Sequence, residues 1–230
     1  MSTTSTNSLF NSLRLTLVNG VFGTIFGQLL GYITAKGRGR LHGKLVEQLV
    51  FIPYLIPSVA FGGIYLSMFS QPQQIFGVTL VPALYGTFAL LTLVSVVKHL
   101  PFAARAGTSN MLQISGELEE AATIEGAGFF RRFVKIVFPL SKGGFISGFM
   151  LIFVSIMKEL DLIILIMTPK TSTLPYLAFQ YQNQNCPQAS NCVAIVMFSI
   201  VFRVDALANI FGDADLAKSI AGREEQKKRR

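Results

Sequence analysis

Five stretches of this chain stay apolar for longer than a water-soluble core can use. They cover residues 15–35, 45–69, 79–97, 145–167 and, with more polar interruptions, 193–211. A helix needs about 20 residues to cross the hydrocarbon of a bilayer. The stretches do not alternate polar with apolar, as the strands of a membrane barrel must. Charged residues make up only 14% of the 230, against about a quarter in a soluble domain. The expected fold is all-α: a polytopic helical membrane protein with about five transmembrane helices. The first apolar run is too long for a cleaved signal peptide, and its basic cluster follows it rather than precedes it. A short extracytoplasmic tail is expected over 1–14, one transmembrane domain over 15–212 and a basic cytoplasmic tail over 213–230.

The charges orient these spans. Lys36, Arg38, Arg40 and Lys44 fall between the first and second; Lys98, Arg105, Arg131, Arg132, Lys135 and Lys142 between the third and fourth. Lys218, Arg223, Lys227, Lys228, Arg229 and Arg230 follow the fifth, so sixteen of the 20 basic residues share one side. Arg14 and Lys170 take the other side, while Lys158 and Arg203 fall within spans. Loops rich in Lys and Arg stay in the cytoplasm, which puts the N-terminus outside and the C-terminus inside a cytoplasmic membrane. The net charge of +8 is then a topology signal, not a sign of nucleic-acid binding, since no stacking aromatics interleave with it on a soluble surface. Cys186 and Cys192 share an outer loop, and two readings stand: a small disulfide, or two free thiols. His42 and His99 each stand alone in or beside a cytoplasmic loop and read as surface residues; no metal site is expected.

One charged island interrupts the apolar chain. Glu117, Glu119, Glu120 and Glu125 come early, near the positive end of a helix dipole, followed by Arg131, Arg132 and Lys135. Gly126 and Gly128 break the first helix, and Phe130, Phe133, Val134 and Val137 make one face of a second. Pro139 restricts the backbone before the next span. Residues 116–140 thus form a cytoplasmic helix–turn–helix knob. Two uses fit the pattern: docking into a partner's groove, or lying on the lipid surface.

Here the chain resembles a family. Glu120-Ala121-Ala122, three residues, Gly126, nine residues, Ile136, one residue and Phe138-Pro139 is similar to the EAA loop of binding-protein-dependent ABC importer permeases, the MetI-like group. The family pattern ends in Leu-Pro, so Phe138 is a departure. The resemblance implies that Glu120 through Pro139 form coupling helices seated in a cleft of a cytoplasmic ATPase subunit, with Gly126 at the turn. It also implies a second permease subunit, identical or related, and an extracytoplasmic solute-binding protein. The chain has no Gly-rich loop ending in Gly-Lys-Ser or Gly-Lys-Thr, so ATP and Mg²⁺ would belong to the partner ATPase. No cofactor or catalytic constellation is expected in this chain, which reads as a transport subunit and not an enzyme.

Several features within the spans suit moving helices. Gly23, Gly27 and Gly31 are spaced by four, as are Gly144 and Gly148, which allows close packing within the subunit or across a dimer seam. Pro53 and Pro57 share a face of the second span and would kink it or open its backbone to a cavity. Lys158, Glu159 and Asp161 lie in the outer half of the fourth span, with Lys158 and Asp161 placed to pair. They are candidates for a pathway or gate, or for a self-neutralising group near the interface. The stretch from Met157 to Pro175 also resembles the ferric-iron and thiamine permease branch, which implies ferric iron as one possible solute. An ion-coupled secondary carrier, with these three residues relaying protons, is the rival reading. Arg203 and Asp205 sit two apart in the fifth span and do not face each other.

Overall fold

The computed structural model describes residues 2–75 and 78–228. Helix α1 runs Ser2–Lys36, α2 Leu41–Leu55 and α3 Ser58–Phe69. A two-stranded antiparallel hairpin follows, β1 Gln73–Ile75 and β2 Val78–Val81, with Gln73 opposite Val81 and Gln74 opposite Thr79. Helix α4 spans Phe88–Met111 and α5 Gly116–Ile124. Helix α6, Phe129–Arg132, passes through a π-helical turn at Phe133–Val137 into α7, Phe138–Leu140. Helix α8 covers Lys142–Met157, α9 Leu174–Asn183 and α10 Pro187–Lys228.

Among the described residues, three helices are long and apolar enough to cross a membrane alone, and up to five spans result if two bent pairs each count as one. The count matches the expectation, but the bounds do not. Helix α1 begins at Ser2, so residues 2–14, expected as a tail, are helical and continuous with the first apolar run. The third span is not 79–97: its front is the hairpin, and α4 starts only at Phe88, after Thr87 caps it through Leu90 N–H. Lys98 and Arg105, assigned to a loop, therefore lie on α4. The fourth span is not continuous to Met167, because α8 ends at Met157. Its 16 residues rise about 24 Å, short of the roughly 30 Å hydrocarbon core. Residues 158–168 continue the apolar run as irregular turns. Irregular backbone is tolerated at that depth only inside protein. Here Leu162, Ile163 and Ile166 are fully buried, and local bonds such as Ile164 N–H to Leu160 C=O satisfy the main chain.

Close backbone approach decides the packing. A Cβ at Gly27 would overlap Ala103 of α4, and one at Gly31 would overlap the main chain of Gly107. Gly20 and Gly23 face Phe149 and Ile152 of α8 in the same way. Lipid is as apolar as leucine, so tight van der Waals contact, rather than exclusion of water, holds such helices together. The glycine row thus serves packing within the chain. Around it lies one core of Leu15, Phe61, Leu90, Leu91, Val94, Ile152 and Ile156 with the buried turns. In α10 the most apolar window, within Pro187–Ile210, is 0% buried, although the helix packs against α9 and α8.

Contacts define two ends. At one, Ser8 meets Ser172, Asn11 donates to the carbonyls of Lys170 and Ser172, and Ser12 Oγ accepts Leu174 N–H at the start of α9. The Arg14 guanidinium lies over Phe88 there, 4.2 Å from the ring centre. At the other end, the α1–α2 turn with Lys36, Arg38 and Arg40 meets α5.

Candidate functional site

The island at 116–140 folds into an elbow. Ser115 caps α5 by accepting Glu117 N–H, and Glu117 and Glu119 occupy the first turn, where the helix dipole favours negative charge. Gly126 ends α5 with φ of +78°, a left-handed conformation that side chains resist. The second arm leaves at Phe129, runs through the π turn and stops at Ser141, where the chain bends 76° into α8. Pro139 follows the π turn within a helix that is continuous from Phe129 to Leu140, where its missing N–H leaves a carbonyl of the preceding turn without its helical donor.

The elbow has an inner and an outer side. Glu119 is 6% exposed; it accepts the Tyr32 hydroxyl at 2.6 Å and pairs with Lys36 Nζ at 2.7 Å. The Tyr32 ring meets Phe129 and Phe133 edge-on, each 5.7 Å away between centres. Arg132 donates to Thr123 Oγ1, joining the two arms. Outward lie Glu120, Ala121 and Gly126, all exposed, together with Ile124 and Phe130 at 87% and 81%. Ala122 and Ile136 are half-buried, and Pro139 is exposed. So of the two neighbouring glutamates, the motif residue Glu120 faces solvent, and Glu119, which the motif does not single out, holds the elbow to α1. A helical wheel of α5 separates the two by one position; nothing in the sequence names Tyr32 and Lys36 as partners.

The second candidate region is rearranged. Pro53 and Pro57 do break the second span, by 96° between α2 and α3. Pro57 has no N–H for the carbonyl of Pro53, four residues back. Lys98 Nζ supplies that hydrogen bond at 2.9 Å, and a second to Ile56 C=O. Lys98 is thus buried where a loop residue was expected. His99 is also buried, not a surface residue: its Nδ1 lies 2.9 Å from Ser95 C=O, and its Nε2 lies 3.5 Å from Glu159 Oε2. A carbonyl only accepts, so Nδ1 carries a proton. The contact with Glu159 is then attractive only when a further proton sits on Nε2 or on the carboxyl. Glu159 Oε1 accepts Leu162 N–H at 3.0 Å, which anchors the buried turns.

The expected pairing of Lys158 with Asp161 does not occur. Both are exposed, and no ion pair joins them among the described residues. The helix ends at Met157, so the i, i+3 geometry on which that pairing rests is absent. His42 is exposed. Cys186 and Cys192 are free, exposed thiols. Arg203 and Asp205 are exposed on α10, where Asp205 accepts Asn209 Nδ2–H at 3.2 Å. Among the described residues, no group of three or more His, Cys, Asp or Glu is placed to hold a metal ion. A groove of about 890 Å³ lies between α2 and α4, walled by Leu45, Leu49, Ile52 and Pro101, with Lys44 and Arg105 at its polar edge.

Comparison with known proteins gives this geometry a context. The sulfate transport system permease protein CysT of Synechocystis is 26% identical over 202 residues, covering 84% of this chain and 68% of the relative. The molybdate/tungstate transport system permease protein WtpB of Thermococcus kodakarensis is 28% identical over 192 residues, covering 83% and 72%. The ferric transport system permease protein FbpB of Actinobacillus pleuropneumoniae is 24% identical over 93% of this chain but only 30% of its own length. Among solved structures, a bacterial ABC transporter that imports the acidic polysaccharide alginate superposes with a TM-score of 0.77 at 16% identity, covering 93% of this chain and 80% of that one. The MetNI methionine ABC transporter in inward-facing form gives 0.69 at 18%, covering 90% and 94%. The family model for the inner membrane component of binding-protein-dependent transport systems matches residues 27–214. With the elbow, the bent spans and most of its length inside that match, the chain belongs to this family of multi-pass ABC importer permeases, transport subunits rather than enzymes.

Proposed function

We propose that this chain forms half of a solute path and that residues 116–140 receive the work of a separate cytoplasmic ATPase. The observation that carries this reading is the outer side of the elbow. Ile124 and Phe130 project almost fully exposed from a two-armed helical tip, with Glu120 and Glu125 beside them. Apolar anchors ringed by charge fit a groove in a partner, which would cover them. In this reading Glu120, Ala121, Ala122 and Gly126 contact the ATPase, and Ile136 and Pro139 shape the return arm toward α8. ATP and Mg²⁺ bind the partner. The elbow and the basic α1–α2 turn share an end, which supports a cytoplasmic elbow and an outer hairpin. An external binding protein and a second permease complete the assembly, the latter covering part of the outward-facing α10.

For the solute, a small inorganic oxyanion is the reading that the sulfate and molybdate/tungstate permeases support. Ferric iron is the second reading, favoured by the ferric permease and the stretch after Met157. Glu159 is already committed to His99 and Leu162 N–H, so it is not offered to iron as a ligand. Lys158 and Asp161, both exposed, and the bend at Pro53 and Pro57 remain candidates for the gate.

Cysteine placed at Ile124 or Phe130 should crosslink to the ATPase subunit in membranes, and Gly126→Pro or Glu120→Arg should uncouple ATP hydrolysis from uptake while the subunit remains inserted. Wild-type uptake in both variants would remove the coupling assignment. Equilibrium binding of sulfate, molybdate and ferric iron to the partner binding protein decides the solute.

A further inference from the structure

We infer that Glu119 is a positioning residue through which the elbow's movement enters the bundle at α1, in addition to the helices joined to the elbow by the chain. The inference rests on the reading of 116–140 as the coupling loop. The chain also joins the elbow to α4 and α8 directly: through a short turn at 112–115, and through a 76° bend at Ser141, whose carbonyl accepts Asn110 Nδ2–H of α4 at 2.9 Å.

The contact with α1 adds a helix that the elbow does not adjoin in sequence. Tyr32 and Lys36 are one helical turn apart on a single face, and both reach Glu119, at 2.6 and 2.7 Å. The Tyr32 ring also meets Phe129 and Phe133, so one turn of α1 is held by both arms of the elbow. The Arg132–Thr123 bond makes those arms a single body. From Tyr32 the path continues along α1: Gly31 and Gly27 lie against the backbone of Gly107 and Ala103 of α4, and Gly23 and Gly20 lie against the side chains of Ile152 and Phe149 of α8. Close-packed interiors compress little, so α1 cannot shift without carrying α4 and α8. Glu119 and Glu120 divide the labour. Glu120 turns outward to the partner, and Glu119 turns inward as the positioning residue that passes the push on.

The test uses the permease with its ATPase and binding protein in lipid vesicles, reading solute taken up per ATP hydrolysed. This ratio does not depend on how much protein inserts, so a merely structural role would leave it alone. Glu119→Lys and Lys36→Glu should each lower it about tenfold, the equivalent of about 1.4 kcal/mol. The double variant reverses the pair and should return the ratio to within about threefold of wild type. Tyr32→Phe keeps the ring between Phe129 and Phe133 but removes the hydroxyl, and should lower the ratio about threefold. A wild-type ratio in either charge variant or in Tyr32→Phe, or a double variant no better than the singles, overturns the inference. A cysteine at Ile124 separates the two levels. If it crosslinks to the ATPase while Glu119→Lys stays fully coupled, only the role of Glu119 is lost. If it never crosslinks, the coupling reading falls with it.

Discussion

Glu119 and Glu159 are both acidic side chains that meet a basic one from another helix, yet their surroundings differ. Lys36, the partner of Glu119, is 37% exposed at its side chain, whereas His99 and Glu159 are 5% and 16% exposed. Glu119 itself is buried, but its cationic partner reaches water. Glu159 sits among α4, the α2–α3 break and the buried turns, where nothing replaces a lost partner. Half-exposed ion pairs contribute little net stability, about 0–1 kcal/mol. Removing one member of a buried pair costs about 3–5 kcal/mol, because the other charge stays buried. The same chemistry thus serves control at one end of the bundle and architecture in its middle.

The largest expected effect tests the architectural half. Lys98→Met removes the donor to Pro53 and Ile56 and leaves two main-chain acceptors unpaired at a broken helix. Each unpaired acceptor should cost about 1–3 kcal/mol in thermal unfolding of the purified subunit. A melting curve within error of wild type would break the contrast. Gly27→Leu comes next: its side chain has to enter the backbone of Ala103, so α1 separates from α4. The expected cost is about 1–3 kcal/mol, with uptake lost in proportion. Gly126→Ala is smaller and local. A side chain at φ of +78° costs about 1–2 kcal/mol, confined to the elbow. Transport should fall while the melting of the bundle stays put; a matching drop in both would mean that the elbow is as structural as the mid-bundle cluster.

Much of the elbow was legible in the sequence because its signals are local. The glutamates, the glycine at the turn and the proline near the second arm's end each act within a few residues, and the helix–turn–helix appeared where they placed it. The number of spans was legible for a similar reason, since apolar length is what the bilayer tests. Their bounds were not. Thr79–Val81 is as apolar as a helix start, but it pairs with β1, and hydropathy does not distinguish the two. The fourth span looked continuous to Met167, since buried irregular turns need the same residues as buried helix. Lys98 and His99 were misplaced because a charge was taken to mark a loop. Their burial depends on an acceptor that Pro57 creates 41 positions earlier in the chain and on a carboxylate about 60 positions later. No local pattern carries that information.

The smallest expected effect belongs to His42, and it matters because of where it sits. His42 begins α2 beside the basic turn, at the same end as the elbow, and its side chain is exposed. If polar groups at this end serve movement and exchange freely with water, His42→Ala should change thermal stability by no more than about 0.5 kcal/mol and leave uptake per ATP unchanged. His99, the other histidine, provides the internal reference: His99→Ala removes a buried ring that touches Ser95 and Glu159 and should cost several times as much. Melting both variants side by side measures the gap between the two environments with the residue type held constant. Equal shifts would show that the end of the bundle is as rigidly built as its middle, and the elbow would then have no soft boundary across which to move.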